Sequence, residues 1–186
     1  EPYDVYWARV REMYYPFESG MKSGTARVFD HQIPGGQYSN LLVQCQSMGL
    51  WGNGQWEEVL DAYRDVNDLF GDIVKVTPSS KVVGDMALMM VSQGLSRADV
   101  EDASRDVSFP DSVVDMMKGN LGQPPGGFPE ALVKKVLKGE KPATERPGKH
   151  LAPIDLEATR AALSTELDGR TIDNEDLNGY LMYPKV

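Results

Sequence analysis

Apolar residues recur at every third or fourth position through most of this chain, and glycine or proline breaks the recurrence at short intervals. That period belongs to amphipathic helices, and the breaks keep them short. Tyr3, Trp7, Val10, Tyr14 and Phe17 follow it, with Pro16 placed to end or kink the helix. Leu41, Leu42, Cys45 and Met48 follow it after Asn40, which reads as their N-cap. Trp56, Val59, Leu60, Tyr63 and Phe70 come next, and Gly71 is placed to close that helix in a left-handed turn. Val82, Val83, Met86, Met89 and Met90 mark a segment that is apolar nearly all round, which predicts the most buried helix, ended by Gly94. Ser96 and Asp99 have capping-box spacing ahead of Val100, Ala103 and Val107. Shorter helices are expected after Pro110, over residues 132–137, after Asp155 and around Leu177. Only residues 25–29 read as extended, and the charged, proline-rich stretch 139–153 reads as a linker or surface strap. The fold class expected is all-α, a multi-helix segment with a compact bundle at its centre. Its divisions are residues 1–54, 55–138, 139–154 and 155–186.

Composition narrows the function. The chain has 186 residues and a net charge of -9, with no basic run to offset it, so its surface repels phosphate backbones and acidic membranes. No apolar run is long enough to span a bilayer. Cys45 is the single cysteine; it cannot form an internal disulfide, fits a reducing compartment and reads as core. His31 and His150 read as surface or loop residues rather than ligands, and Met86, Met89, Met90, Met116 and Met117 as packing. The chain opens on Glu1 with no leader pattern and ends on an apolar phrase, so a piece of a longer polypeptide is expected.

Two phrases carry chemistry. The first is Val76-Thr77-Pro78-Ser79-Ser80-Lys81. Proline restricts Thr77 to extended geometry and is itself pre-shaped for a first helical position. Thr77 then reads as an N-cap to the amide of Ser79 or Ser80. Lys81 falls in the first turn, where the helix dipole disfavours a cation, and Asp85 offers it the weaker orientation of an i,i+4 pair. Hydroxyls, free helical amides and an ammonium together can hold a carbonyl or a developing anion. The second phrase is Pro34-Gly35-Gly36-Gln37, either a turn before a helix or a close backbone approach with an amide beside it.

Taken with a third phrase, Gly122-Gln123-Pro124-Pro125-Gly126-Gly127-Phe128-Pro129, these two resemble the carboxyltransferase region of the pyruvate carboxylase family. The likeness extends over residues 33–40, 71–85, 108–114, 122–129, 135–139, 146–148 and 183–186. Oxaloacetate decarboxylase α subunits and the transcarboxylase core subunit are related, but the third phrase and Arg146-Pro147-Gly148 look more like pyruvate carboxylase. The resemblance implies a helical funnel that follows a (β/α)8 barrel in the parent enzyme. It implies that Thr77 is catalytic, passing a proton between the pyruvate methyl group and N1 of biotin while CO2 moves from carboxybiotin to pyruvate to give oxaloacetate. It implies that Gln37, Ser80 and Lys81 line the biotin pocket.

Biotin is then carried on a separate domain, and a divalent metal, zinc or manganese, sits only in the barrel, with no ligand from this chain. The implied partners are the barrel and the biotin carrier domain of the same polypeptide, with pyruvate as substrate, a homotetrameric parent, and neither nucleic acid nor membrane. The implied compartment is the bacterial cytoplasm or the mitochondrial matrix. The sequence contains neither a barrel nor the Ala-Met-Lys-Met of a biotin carrier, so the segment alone is expected to be inactive. Two other readings stay open: a decarboxylase or transcarboxylase subunit fragment, and a non-catalytic helical interaction module.

Overall fold

The computed structural model describes residues 2–18 and 26–184. No strand occurs among them, and no described helix is long and apolar enough to cross a membrane. The chain divides into two compact units, Glu1–Arg146 and Pro147–Val186.

In the first unit, α1 (Pro2–Tyr14) runs into a 3-10 turn at Tyr15–Phe17, where Pro16 stops the α-helical ladder. There follow α2 (Arg27–His31), α3 (Gly35–Ser47), α4 (Gln55–Leu69) and α5 (Ser79–Gln93). Then come α6 (Arg97–Glu101), α7 (Asp111–Lys118) and α8 (Glu130–Leu137). Helix α5 lies at the centre, packed most extensively on α4 and also on α3 and α7, and α7 in turn packs on α8. One core joins Leu41 and Cys45 of α3, Val59, Leu60, Tyr63 and Val66 of α4, Val83, Met86 and Met90 of α5, and Val113, Met116 and Met117 of α7. Each such side chain contributes on the order of 1.5–3 kcal/mol by leaving water. The five methionines are packing residues, and Cys45 is fully buried with its thiol donating to Leu50 O at 2.7 Å. Burial alone pushes that thiol's pKa up.

The breaks behave as glycine chemistry requires. Gly71 at φ 91° closes α4 and Gly94 at φ 62° closes α5, both in the left-handed region that a side chain disfavours. Ser96 and Asp99 form a reciprocal capping box at the start of α6.

Three local expectations are corrected. The stretch expected to be extended is helical over Arg27–His31, while Thr25 lies outside the described residues. A helical turn puts Val28 and His31 on one face, toward α4, which a strand could not do. His31 is accordingly buried rather than a surface residue, with Nδ1 3.6 Å from Asp61 Oδ1. Asn40 is not an N-cap: α3 already begins at Gly35, and Tyr38 N donates to Pro34 O at 2.9 Å. Ile33 before the cap and Tyr38 in the first turn are both buried, the arrangement of a hydrophobic staple, and this sets the entry point earlier.

The second unit has a 3-10 turn at Pro147–His150, then α9 (Leu156–Glu166) and α10 (Asn174–Met182). Its core is small: Leu163, Ile172 and Leu177. Side-chain caps supply much of its order, with Asp155 accepting from Ala158 N at 2.9 Å and Asp173 accepting from Glu175 N and Asp176 N. Lys185 and Val186, which end the last family-like phrase, lie outside the described residues.

Candidate functional site

The N-terminal end of α5 is built by a hydroxyl other than the one expected. Thr77 is not the N-cap; that position falls one residue later, on Pro78, after a cis Thr77–Pro78 peptide. Lys81 N and Val82 N bond to Pro78 O, and no side chain caps the helix. The local turn is closed instead by Ser79, whose Oγ accepts from Val76 N at 3.1 Å and lies 2.9 Å from Val74 O and 2.7 Å from Val76 O. Thr77 is left exposed, and among the described residues its side chain has no hydrogen-bond partner. Val74 and Val76 beside it are 78% and 65% exposed, so the segment presents an apolar surface with one hydroxyl in it.

The approach to this segment is pinned from below. Asn67 of α4 is fully buried, and its Nδ2 donates to Asp72 Oδ1 at 2.8 Å while Asp72 N donates to Asn67 O at 2.9 Å. Lys75 Nζ donates to Gln32 Oε1 at 3.2 Å, and burial lowers its pKa against the opposing pull of Asp72 and Asp68.

Ser80 is buried, and its carbonyl accepts from Tyr63 OH at 3.3 Å. Burial holds the Tyr63 phenol well above its ordinary pKa, so it stays a donor. Lys81 is exposed but compensated: its Nζ lies 2.6 Å from Asp85 Oδ2, which also accepts from Ser112 Oγ on α7 at 2.7 Å. The dipole penalty at Lys81 is therefore met by an anchored carboxylate, despite the weaker sequence order of the pair.

Gln37 reaches the same helix from α3. It is buried, and its Nε2 finds no hydrogen-bond partner. It rests over Gly84, where a methyl group would come within 2.7 Å of that nitrogen. Gly84 is one turn beyond Ser80 on α5, so Gln37 and Ser80 share one side of the helix. Gln37 is thus brought to α5 and Thr77 stands before its first turn. A cavity of about 730 Å³ lies elsewhere, between α6 and α8, lined in part by Val100, Arg105, Leu132 and Lys135, and includes none of the four candidate residues.

Sequence reasoning missed Ser79, Gly84 and Ser112. Gly84 had a readable signal, a glycine inside an otherwise apolar helix, which marks close approach of a neighbour. Ser79 and Ser112 had none, because a hydroxyl's partner is chosen by the fold.

Gln37 and Ser80 are buried on the packed side of α5, whereas the Thr77 hydroxyl and the Lys81 ammonium are exposed at its start, so the structure places the four residues at one helix without gathering them in one cavity. A family model described as the conserved carboxylase domain matches residues 28–186. Pyruvate carboxylase of Bacillus subtilis is 52% identical over 181 residues, covering 97% of this chain and 16% of that protein. Pyruvate carboxylase 1 of Caenorhabditis elegans is 50% identical, covering 99% of this chain and 16% of that one. Among solved structures, the carboxyl transferase domain of Rhizobium etli pyruvate carboxylase with pyruvate and biocytin matches with a TM-score of 0.90 and 56% identity, covering 97% of this chain and 30% of that one. The chain therefore spans about 16% of the length of these two curated relatives.

Proposed function

The chain belongs to the conserved carboxylase domain family, and from that premise we propose that it is the biotin-receiving helical part of a pyruvate carboxylase carboxyltransferase. Biotin supplies a carrier for the carboxyl group that oxaloacetate has and pyruvate lacks. Its ureido ring offers a carbonyl acceptor and N–H donors, and the residues present fit that set. Lys81 offers an ammonium and Thr77 a hydroxyl that can both give and take, both exposed, while Gln37 lies buried against α5. Ser80 keeps the first turn of α5 in place through the bond its carbonyl takes from Tyr63. Asp85 and Ser112 fix the height of Lys81 along the helix.

The work assigned to Thr77 is proton movement at Oγ1, which takes a proton from the pyruvate methyl group as it releases its own. An alcohol's pKa is too high for either half alone, so the two transfers run together. The barrel, the metal and the carrier belong to the rest of the parent polypeptide, and the isolated segment turns over nothing without them. The observation that carries this reading is the exposed Thr77 hydroxyl, which stands immediately before the N-cap of α5 with the exposed Lys81 ammonium in the turn that follows.

The test is made in the intact enzyme. Thr77→Val keeps the shape and removes the proton path, and oxaloacetate formation falls by about 10²- to 10⁴-fold while ATP-dependent carboxylation of biotin continues. Thr77→Ser restores most of the rate. Near-normal oxaloacetate formation by Thr77→Val would overturn the assignment.

A further inference from the structure

We infer that Asn67 is a positioning residue, a buried amide that sets the segment carrying Thr77 against the turn that follows α2. This rests on the reading of Thr77 as the proton carrier. Asn67 stands near the end of α4 with no exposed surface, and its helix neighbours Tyr63 and Val66 are core. An apolar side chain would suit that place better, because a buried amide costs free energy unless its hydrogen bonds are made. Asn67 Oδ1 has no partner, so the amide is there for what Nδ2 donates. That nitrogen donates to Asp72 Oδ1 at 2.8 Å and, at 3.4 Å, to Gln32 Oε1. The Asn67 carbonyl accepts a further bond from Asp72 N at 2.9 Å. Gln32 Oε1 also accepts from Lys75 Nζ at 3.2 Å. The segment is therefore tied at Asp72 and again at Lys75, two residues before Thr77.

The two acceptors share a second property. Gln32 has φ 57° and Asp72 φ 55°, in the left-handed region that residues with a side chain seldom enter. Among the described residues five besides glycine have such a backbone, and two of the five meet on this one amide. A backbone of that kind persists where its surroundings hold it. Gln32 turns the chain out of α2 toward Ile33 and Pro34, and Asp72 turns it out of α4 toward Val76 and Thr77. The Thr77 side chain has no hydrogen bond of its own among the described residues, so its place comes from the backbone that leads to it. Ser79 closes the far end of that turn, and Asn67 anchors the near end. Loss of the Asn67 amide frees the near end and displaces a hydroxyl that Asn67 does not touch.

The experiment uses the intact enzyme. Oxaloacetate formation is followed with ordinary pyruvate and with pyruvate deuterated at its methyl group. The proteins are the parent, Asn67→Ala, Asp72→Ala, Asp72→Asn, Thr77→Val and the double variant of Asn67→Ala with Thr77→Val. Both alanine variants are expected to lower kcat about 10- to 100-fold, the cost of a displaced group, with KM for pyruvate little changed. Both are also expected to raise the isotope effect on kcat, because the proton transfer slows and the other steps do not. Asp72→Asn keeps an acceptor and a residue type that tolerates the left-handed backbone, so it retains most of the rate. The double variant is expected to be no slower than Thr77→Val alone. A normal kcat in either alanine variant beside a slow Thr77→Val would overturn the inference and leave the Thr77 reading standing. A normal rate in Thr77→Val would remove the proton carrier, and the inference with it. An unchanged isotope effect, or losses that multiply in the double variant, would show that Asn67 acts on something other than Thr77 and would also overturn it. If Asn67→Ala does not fold, the exposed Asp72 decides: a slow Asp72→Ala with a rescued Asp72→Asn supports the inference, and equal loss in both defeats it.

Discussion

Helix α5 buries nine of its fifteen residues, and helix α1 buries none of its thirteen. Both carry apolar side chains at helical spacing. Those of α5 are valine, alanine, leucine and methionine, surrounded by α3, α4 and α7. Those of α1 include Tyr3, Tyr6, Trp7 and Tyr14, all more than half exposed, and the main contact of that helix is with the 3-10 turn that follows it. An apolar face is a requirement for burial and does not bring it about; the neighbours do. The same contrast runs within α5. Between Val82 and Met90 it is mostly core, whereas its first turn, with Thr77 just before it, holds the exposed hydroxyl and the exposed ammonium. The rigid part of the helix fixes the end that carries the chemistry.

The hardest blow to this contrast is struck at the centre. Met86 is fully buried on α5. Met86→Ala removes three heavy atoms from a closed core and is expected to lower the unfolding free energy of the chain by about 2–5 kcal/mol in a denaturant titration. A loss under about 1 kcal/mol would mean that the site collapses easily and that α5 is not the rigid member of the pair.

Local rules explain how far this could be read in advance. Ser96 with Asp99, Asp155, Gly71 and Gly94 lie within a few residues of the groups they serve, so their spacing reveals them. Burial of the Val82 to Met90 face follows from its lack of a polar side. Asn40 and Thr77 are good capping residues by type, yet the helices start elsewhere. The start of α3 is set by the buried pair Ile33 and Tyr38, and the turn before α5 is closed by Ser79. His31 was illegible because Asp61 and the rest of α4 come to it from thirty residues away. The candidate site divides in the same way. The residue types are visible in the phrases, but the contact between Gln37 and Gly84 spans two helices, and only the packing of α3 on α5 creates it.

Helix α6 stands between the two extremes and tests whether a cap can replace a core. It has five residues and one buried side chain, Val100. Asp99 Oδ2 accepts from Ser96 N at 2.8 Å and Ser96 Oγ at 2.6 Å, and Arg105 pairs with the other oxygen. Hydrogen bonds from Ser96 hold the Asp99 carboxyl below its ordinary pKa, and those from Ser104 do the same for Asp102. A carboxyl whose folded pKa is depressed adds stability above its unfolded pKa and loses it as pH falls through the folded value. The contribution is therefore complete at neutral pH and lost in acid below about pH 4. Ser96→Ala is expected to cost about 1 kcal/mol at pH 7. In unfolding titrations at pH 7 and pH 3 the gap between parent and variant narrows at the lower pH, because protonation has already weakened the box. A gap that widens in acid would contradict the assignment.

The smallest effect expected is the most informative about α1. Trp7 is 62% exposed, and its ring meets that of Tyr6 edge-on at 5.0 Å between centroids. Both rings are more than half exposed, so removing the indole uncovers no cavity. Trp7→Ala is therefore expected to change the unfolding free energy of this chain by no more than about 0.5 kcal/mol. Its removal should also take away the emission of the most exposed indole and leave that of Trp51 and of Trp56, which is buried against Tyr38. A loss above about 1 kcal/mol would place Trp7 among packed residues, since exposed positions rarely cost that much. Helix α1 would then have a partner within the chain, and its difference from α5 would be one of degree. A null result with the remaining emission shifted to the blue keeps the difference one of kind: the α1 face is exposed, and helical period alone has not buried it.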